Sequence, residues 1–363
     1  MRDLISFKDF DWLLIVIAVI LAIIGAVEIH SATANTPLAV EYKRQIEWII
    51  LGVVAALVIS QFDYHLLLEQ TPWLYVLTIL ALGAVLVIAP RIGGTRRWFH
   101  VAGMTFQVSE LAKLIIIMVV AAFLAGRSAS ETVTWSQLLG IGVLVGLPAA
   151  LVAFEPDLGT ALTFVPIAAA GAFLAGVRWR QVFLIFLLGI ALLPLGWHFM
   201  RPYQRQRLLT FVHPSESTQS SGYQLEQTKI AVGSGGLWGQ GLGHGTQSNL
   251  GFLPVSHADA IFAAFAEEQG FAGVVLALAL YLILLLRLLD CAQVAPDRAG
   301  AFLLAGFASV LFFQIAVNVG MMIGLIPMTG IPLPLMSQGG SSILAVFLGL
   351  GLAMSVRKQR FVN

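Results

Sequence analysis

Residues 12–29 read WLLIVIAVILAIIGAVEI, with a single charge, Glu28, near the far end. Crossing a bilayer takes about 20 mainly apolar residues, range about 17–25. The stretch therefore predicts a transmembrane helix, and the same pattern recurs along the chain. Nine further segments qualify: 46–60, 73–90, 109–126, 137–154, 158–176, 181–200, 261–289, 300–324 and 339–356. The second is short and is expected to extend into Tyr42–Gln45 or towards Asp63. Before the first segment, the leader Met1 to Asp11 mixes Arg2 and Lys8 with Asp3, Asp9 and Asp11. A cleaved signal peptide opens on a basic stretch without such acids. Ser31-Ala32-Thr33-Ala34 would suit a peptidase, but the first helix is read as uncleaved.

The fold class expected is an all-α polytopic membrane protein of about ten transmembrane helices. Residues 1–363 form one integral-membrane domain, with a long extracytoplasmic loop at 201–260 between helices seven and eight. Composition agrees: 58% of residues are hydrophobic and 11% charged, against about 25% charged in soluble domains. The net charge of +1 gives no field to draw in a nucleic acid. The lone Cys291 excludes a disulfide framework and a cysteine zinc site.

An even number of crossings puts both termini on one side. Arg357-Lys358-Gln359-Arg360 follows the last segment directly, and positive-inside bias places it in the cytoplasm. Arg178, Arg180, Arg287 and Arg298 fall on that side too. The opposite side carries Lys43, Arg44, Arg91, Arg96, Arg97, Arg201, Arg205, Arg207 and Lys229. These misplaced cations suggest an anionic ligand on the outer face. The alternative is a set of solvated or headgroup-facing side chains.

Asp259 lies in that outer loop, just ahead of the apolar run from Ile261. A carboxylate at the mouth of a membrane bundle is costly to desolvate and marks a functional site by default. Upstream of it, Gly233 to Gly243 could cradle a phosphate or form a tight packed loop; no Gly-Lys-Ser/Thr follows to make it a P-loop. Arg96-Arg97-Trp98 suits a pyrophosphate at the interface. Glu110 and Lys113 stand i, i+3 on one helix face, as a pair or as a structural clamp. Glu155-Pro156-Asp157 reads first as a tight turn, and second as a cavity wall or cation site. From Asn318 to Ser342, Pro327, Gly330, Pro332 and Pro334 break the helix. Irregular backbone at membrane depth is tolerated where it is buried or lines a cavity, so Gln338 and Ser341 are candidate ligands there. His244 and His257 have no metal-pair spacing.

In order along the chain, these motifs resemble the SEDS family (shape, elongation, division and sporulation). The resemblance rests on Arg97-Trp98-Phe99, Ser109-Glu110-Leu111-Ala112-Lys113, Pro156-Asp157-Leu158-Gly159-Thr160 and Tyr203-Gln204-Arg205-Gln206-Arg207. It continues through His244-Gly245-Thr246-Gln247-Ser248, Glu267-Glu268, Asn318 and Gly339-Gly340-Ser341-Ser342. The run Thr329-Gly330-Ile331-Pro332-Leu333-Pro334 is similar to the elongation branch rather than the division branch.

The resemblance implies a ten-helix peptidoglycan glycosyltransferase. It would polymerise lipid II outside the cytoplasmic membrane, onto a glycan held on undecaprenyl pyrophosphate, beside a class B penicillin-binding protein. The family's essential aspartate falls on Asp259. Val255, Ala258 and Ala260 depart from the family pattern, which carries a carboxylate and a hydroxyl among these neighbours. Expected substrate-binding residues are Arg96, Arg97, Glu110, Lys113, Arg201, Arg205, Arg207, Lys229, Gln338 and Ser341, with a divalent cation (Mg2+ or Mn2+) as an optional helper. Two other classes stay open: a lipid II flippase, and a non-catalytic scaffold for the penicillin-binding protein.

Overall fold

The computed structural model describes residues 10–34, 36, 38–90, 96–101, 104–126, 132–212, 221–253 and 257–360. Helices α1 (Trp12–Thr33), α2 (Glu41–Ile59), α3 (Tyr64–Glu69) and α4 (Thr71–Ile88) lead to a short antiparallel hairpin, β1 (Phe99–Val101) and β2 (Met104–Phe106). Then come α5 (Val108–Ala125), α6 (Trp135–Phe154), α7 (Leu158–Leu162), α8 (Val165–Leu174) and α9 (Trp179–Phe199). The long loop contains α10 (Pro202–Val212), α11 (Ser221–Ser234) and α12 (Thr246–Asn249). The chain closes with α13 (Ile261–Gln293), α14 (Arg298–Met322) and α15 (Gly340–Gln359).

Eight of the described helices are long and apolar enough to cross a membrane: α1, α4, α5, α6, α9, α13, α14 and α15. The other two expected crossings show why length and hydropathy alone miss them. α2 opens with Glu41, Lys43, Arg44 and Glu47 in its first two turns, and so starts in polar surroundings. The segment expected at 158–176 is two helices. It breaks at Thr163, whose hydroxyl donates to the Thr160 carbonyl at 2.6 Å, and restarts at Pro166, which has no N–H to continue a ladder.

α5, α14 and α15 are mostly buried and form the centre of the bundle. α13 packs on α14 and α1, and α2 lies along α15. α4, α6 and α9 are peripheral. α9 is extreme: every residue from Val182 to His198 is exposed.

At one end of the bundle Asp11 accepts from Arg287 Nε at 2.7 Å and from Arg357. The start of α1 and the ends of α13 and α15 therefore meet, and the first and last crossings begin and end on one side. Tyr64 donates to Asp297 at 2.8 Å on the same α13–α14 turn.

The long loop occupies the other end. The sequence of the loop also allows a short surface helix over Gln224–Val232; it lies within α11, against α13. The polar composition of Ser215 to Gly222 predicts a mobile stretch, and it falls mostly outside the described residues. The Gly run is a packed clasp and not a phosphate cradle. Gln240 and Gly241 amides donate to the Glu267 and Glu268 carbonyls, both at 3.0 Å. In return the Phe271 and Ala272 amides donate to Gly236 and Leu237 at 2.9 and 3.0 Å. The clasp closes on a break in α13 at Gly270, with φ +65° and ψ −168°.

Candidate active site

The hairpin and the loop helices converge on a cavity of about 400 Å³ at the loop end of the bundle. Its walls come from six places in the sequence: the start of β1, the start of α5, the α6–α7 turn, α10, the residues before α13, and the broken segment after α14.

Each wall is built for a local reason. Asp157 caps α7, accepting from the Thr160 amide at 3.1 Å, and takes a second bond from Gln107 Nε2 at 3.2 Å. Arg97 Nη1 stands 3.5 Å from the Asp157 carboxylate. Its Nε donates to the Glu155 carbonyl at 3.2 Å and its Nη2 to Pro156. One arginine thus ties the hairpin to the α6–α7 turn. Tyr203 on α10 donates to the Pro156 carbonyl at 2.5 Å. One turn on, Arg207 lies over the Tyr203 ring and donates to the Met328 carbonyl at 3.2 Å.

Asp259 sits two residues before α13 and is partly buried on the cavity wall. Gly330 separates it from Arg207. A Cβ on Gly330 would lie 3.3 Å from Asp259 Oδ2 and 3.7 Å from Arg207 Nη1, and φ there is +76°. Only glycine adopts that backbone cheaply, so the two charges can face one space. Burial pushes the Asp259 carboxyl above the ordinary aspartate range; Arg207 pulls it back and the Asp157 charge adds to the rise. Glu155 is pushed up to about 8, by burial and then by Asp157, with Arg97 opposing. It therefore holds its proton at neutral pH. Such a set gives one carboxylate able to take a proton and two guanidinium groups able to face a phosphate.

A model of the FtsW/RodA/SpoVE family, described as "Cell cycle protein", matches residues 11–361. The peptidoglycan glycosyltransferase MrdB of Escherichia coli K12 is 37% identical over 97% of this chain and 94% of its own. The peptidoglycan glycosyltransferase RodA of Treponema pallidum is 30% identical over 97% and 98%. This chain belongs to the FtsW/RodA/SpoVE family. The rod shape determining protein RodA of Thermus thermophilus superposes with TM-score 0.72, at 30% identity over 98% of both chains. A chain of a peptidoglycan synthase complex, described as coordinating polymerization and crosslinking, gives TM-score 0.83 at 33% identity, over 98% of this chain and 99% of its own.

In this FtsW/RodA/SpoVE chain the cavity gathers five of the residues singled out from sequence: Asp259, Arg97, Glu110, Arg207 and Gln338. Others lie elsewhere. Arg96 donates to the Leu86 and Val87 carbonyls at the end of α4. Lys113 pairs with Glu110 at 2.9 Å, behind the cavity and against α14 and α15. Arg205 turns to the His198 carbonyl and the Trp197 ring. Arg201 and Lys229 are exposed, and Ser341 is buried in the first turn of α15. Asp157 and Tyr203 line the cavity as well. Sequence reading favoured Asp157 as a turn residue; it is both cap and wall. The available signal was its place beside Pro156, near the cationic outer loops.

Proposed function

We propose that this protein is a peptidoglycan glycosyltransferase of the bacterial inner membrane, polymerising lipid II into glycan strands for elongation and rod shape. The observation that carries the reading is the single cavity holding Asp259 with Arg207 and Arg97 at the edge of a membrane bundle. The family membership supplies the reaction class.

The donor is a glycan α-linked to undecaprenyl pyrophosphate, and the acceptor is the 4-hydroxyl of lipid II. The hydroxyl oxygen attacks C1 from the face opposite the pyrophosphate. The C1–O bond breaks, its electron pair leaves with the pyrophosphate, and a β-1,4 bond forms. Asp259 takes the hydroxyl proton, help typically worth about 10²–10⁴ in rate. Arg207 and Arg97 stabilise the charge that develops on the leaving pyrophosphate. Gln338, whose side-chain Nε2 donates to Glu41 at 2.5 Å, lines the cavity as well. The lipid tails stay in the bilayer, which is why the sugar site sits on a membrane bundle.

A divalent cation would be held by Asp259 or Asp157 of the cavity wall together with the substrate phosphates and would offset their charge, since Mg2+ is commonly held by one or two carboxylates plus substrate phosphates. Among the described residues no three His, Cys, Asp or Glu side chains group to hold a metal. The partner in this reading is a class B penicillin-binding protein that cross-links the strands; the coordinated complex matched in fold supports it. Both termini face the cytoplasm and the cavity faces outward, as the basic tail after α15 suggests.

The test is polymerisation of lipid II by the purified complex, wild type beside Asp259→Asn, with and without Mg2+ or Mn2+. Asp259→Asn keeps shape and removes the base, and its rate should fall at least about 100-fold with unchanged thermal stability. In the wild type, activity should be lost as pH falls through a pKa above the ordinary value of about 3.9. Wild-type polymerisation by the variant would remove Asp259 as base. Lipid transfer between leaflets without polymer would instead favour a flippase.

A further inference from the structure

The residues beside Asp259 are apolar: Ala258 on one side and Ala260 on the other. Neither side chain can orient a carboxylate, so the geometry must come from the backbone. Three successive carbonyls of this loop are each held by a donor from outside it. The Gln338 amide donates to the His257 carbonyl at 3.0 Å. The Ser337 hydroxyl donates to the Ala258 carbonyl at 2.7 Å. Asn318 Nδ2 donates to the Asp259 carbonyl itself at 3.0 Å.

The donors are fixed in turn. Ser337 Oγ accepts from the Leu333 amide at 2.8 Å. Asn318 is fully buried on α14, and its Nδ2 also donates to the Ile331 carbonyl at 2.8 Å. That second bond locks the strand of backbone carrying Gly330, the residue between Asp259 and Arg207. Asn318 therefore sets the distance from the base to the cavity floor with one amide group.

We infer that Asn318 and Ser337 are positioning residues for Asp259, holding its backbone so that the carboxylate points at the acceptor hydroxyl. The inference rests on the reading of Asp259 as the base. Misplacing a reacting group by about 1 Å costs on the order of 100-fold in rate. Neither residue lines the cavity, so ground-state binding should be left alone.

The experiment measures kcat and KM for lipid II in the purified complex, with thermal stability alongside. The variants are Asn318→Leu, Ser337→Ala and Ser337→Thr, each also in the Asp259→Asn background. Asn318→Leu and Ser337→Ala should lower kcat by about 10- to 100-fold with KM nearly unchanged. Ser337→Thr keeps the hydroxyl and should restore most of the rate. In the Asp259→Asn background the same changes should cost much less, because groups acting as one unit are not additive. Should Asn318→Leu fail to fold, the Ser337 pair decides alone. Full kcat in folded Ser337→Ala, an effect on KM only, or an equal loss in the Asp259→Asn background overturns the inference. A fully active Asp259→Asn removes the base assignment itself, which is a separate outcome.

Discussion

Glu155 holds a proton that the unfolded chain would release. Its side chain is almost fully buried and its Oε1 has no hydrogen-bond partner among the described residues. Burial first, and then the Asp157 charge, raise it from 4.5 to about 8. A carboxyl with a raised folded pKa stabilises below its unfolded pKa, and that stability is lost as pH rises through the folded pKa. The protein should lose thermal stability as pH rises from about 4.5 to about 8, and Glu155→Gln should flatten that fall. Melting curves of both proteins across the range check it; parallel curves would mean that Glu155 is already ionised. At this scale the sequence was partly legible. Asp259, Arg97 and Arg207 stood out because charge is rare in so apolar a chain. Arg205 stood out equally and turns away, because two positions along α10 is more than half a turn and puts it on the face opposite Arg207. Asp157 was legible as a cap, but its place in the wall depends on Arg97 and Gln107, which lie about 50 residues or more away in sequence.

Helices and loops divide the same way. Eight of the ten expected crossings are legible as single apolar helices because the bilayer sets length and polarity together. The hairpin at 99–106 is three residues a side and leaves no periodic signal. The break between α7 and α8 was signalled by Pro166 inside an apolar run. The Gly run left two readings open, and tertiary contact chose between them: its amides and carbonyls are used by α13. That clasp makes a sharp demand on Gly270. A Cβ there would lie 2.2 Å from the Gly239 amide nitrogen and 2.7 Å from the Trp238 carbonyl carbon. Its φ and ψ fall in a region essentially reserved for glycine, worth about 1–3 kcal/mol of strain for another residue. Gly270→Ala should therefore destabilise by at least about 2 kcal/mol. Gly233→Ala, at a helical position with open space around it, should be neutral or gain up to about 1 kcal/mol. Denaturation of the two purified variants separates the cases, and equal stability would show that the clasp can open at no cost.

The whole molecule combines a buried three-helix centre with peripheral helices that touch it unequally. α5, α14 and α15 hold the cavity floor through Glu110, Asn318 and the segment ahead of α15. α9 sits at the other extreme, its apolar side chains exposed along nearly its whole length. It has 21 residues, about 31 Å at 1.5 Å per residue, close to the roughly 30 Å hydrocarbon thickness of a bilayer. Its first turn is held where Gln181 Nε2 donates to the Val133 carbonyl at 2.9 Å, and the rest of the helix packs weakly, so bilayer thickness can bias its tilt. Four residues beyond its last residue comes Tyr203, followed by Arg207, so a change of tilt is carried straight into the cavity wall. Polymerisation in vesicles of increasing acyl-chain length should pass through an optimum, and a disulfide tying α9 to the bundle should flatten it. A rate indifferent to chain length would mean that α10 is anchored independently of α9. Where the optimum is found, the thickness of the membrane is an input to wall synthesis, sensed by the most exposed of the described crossing helices.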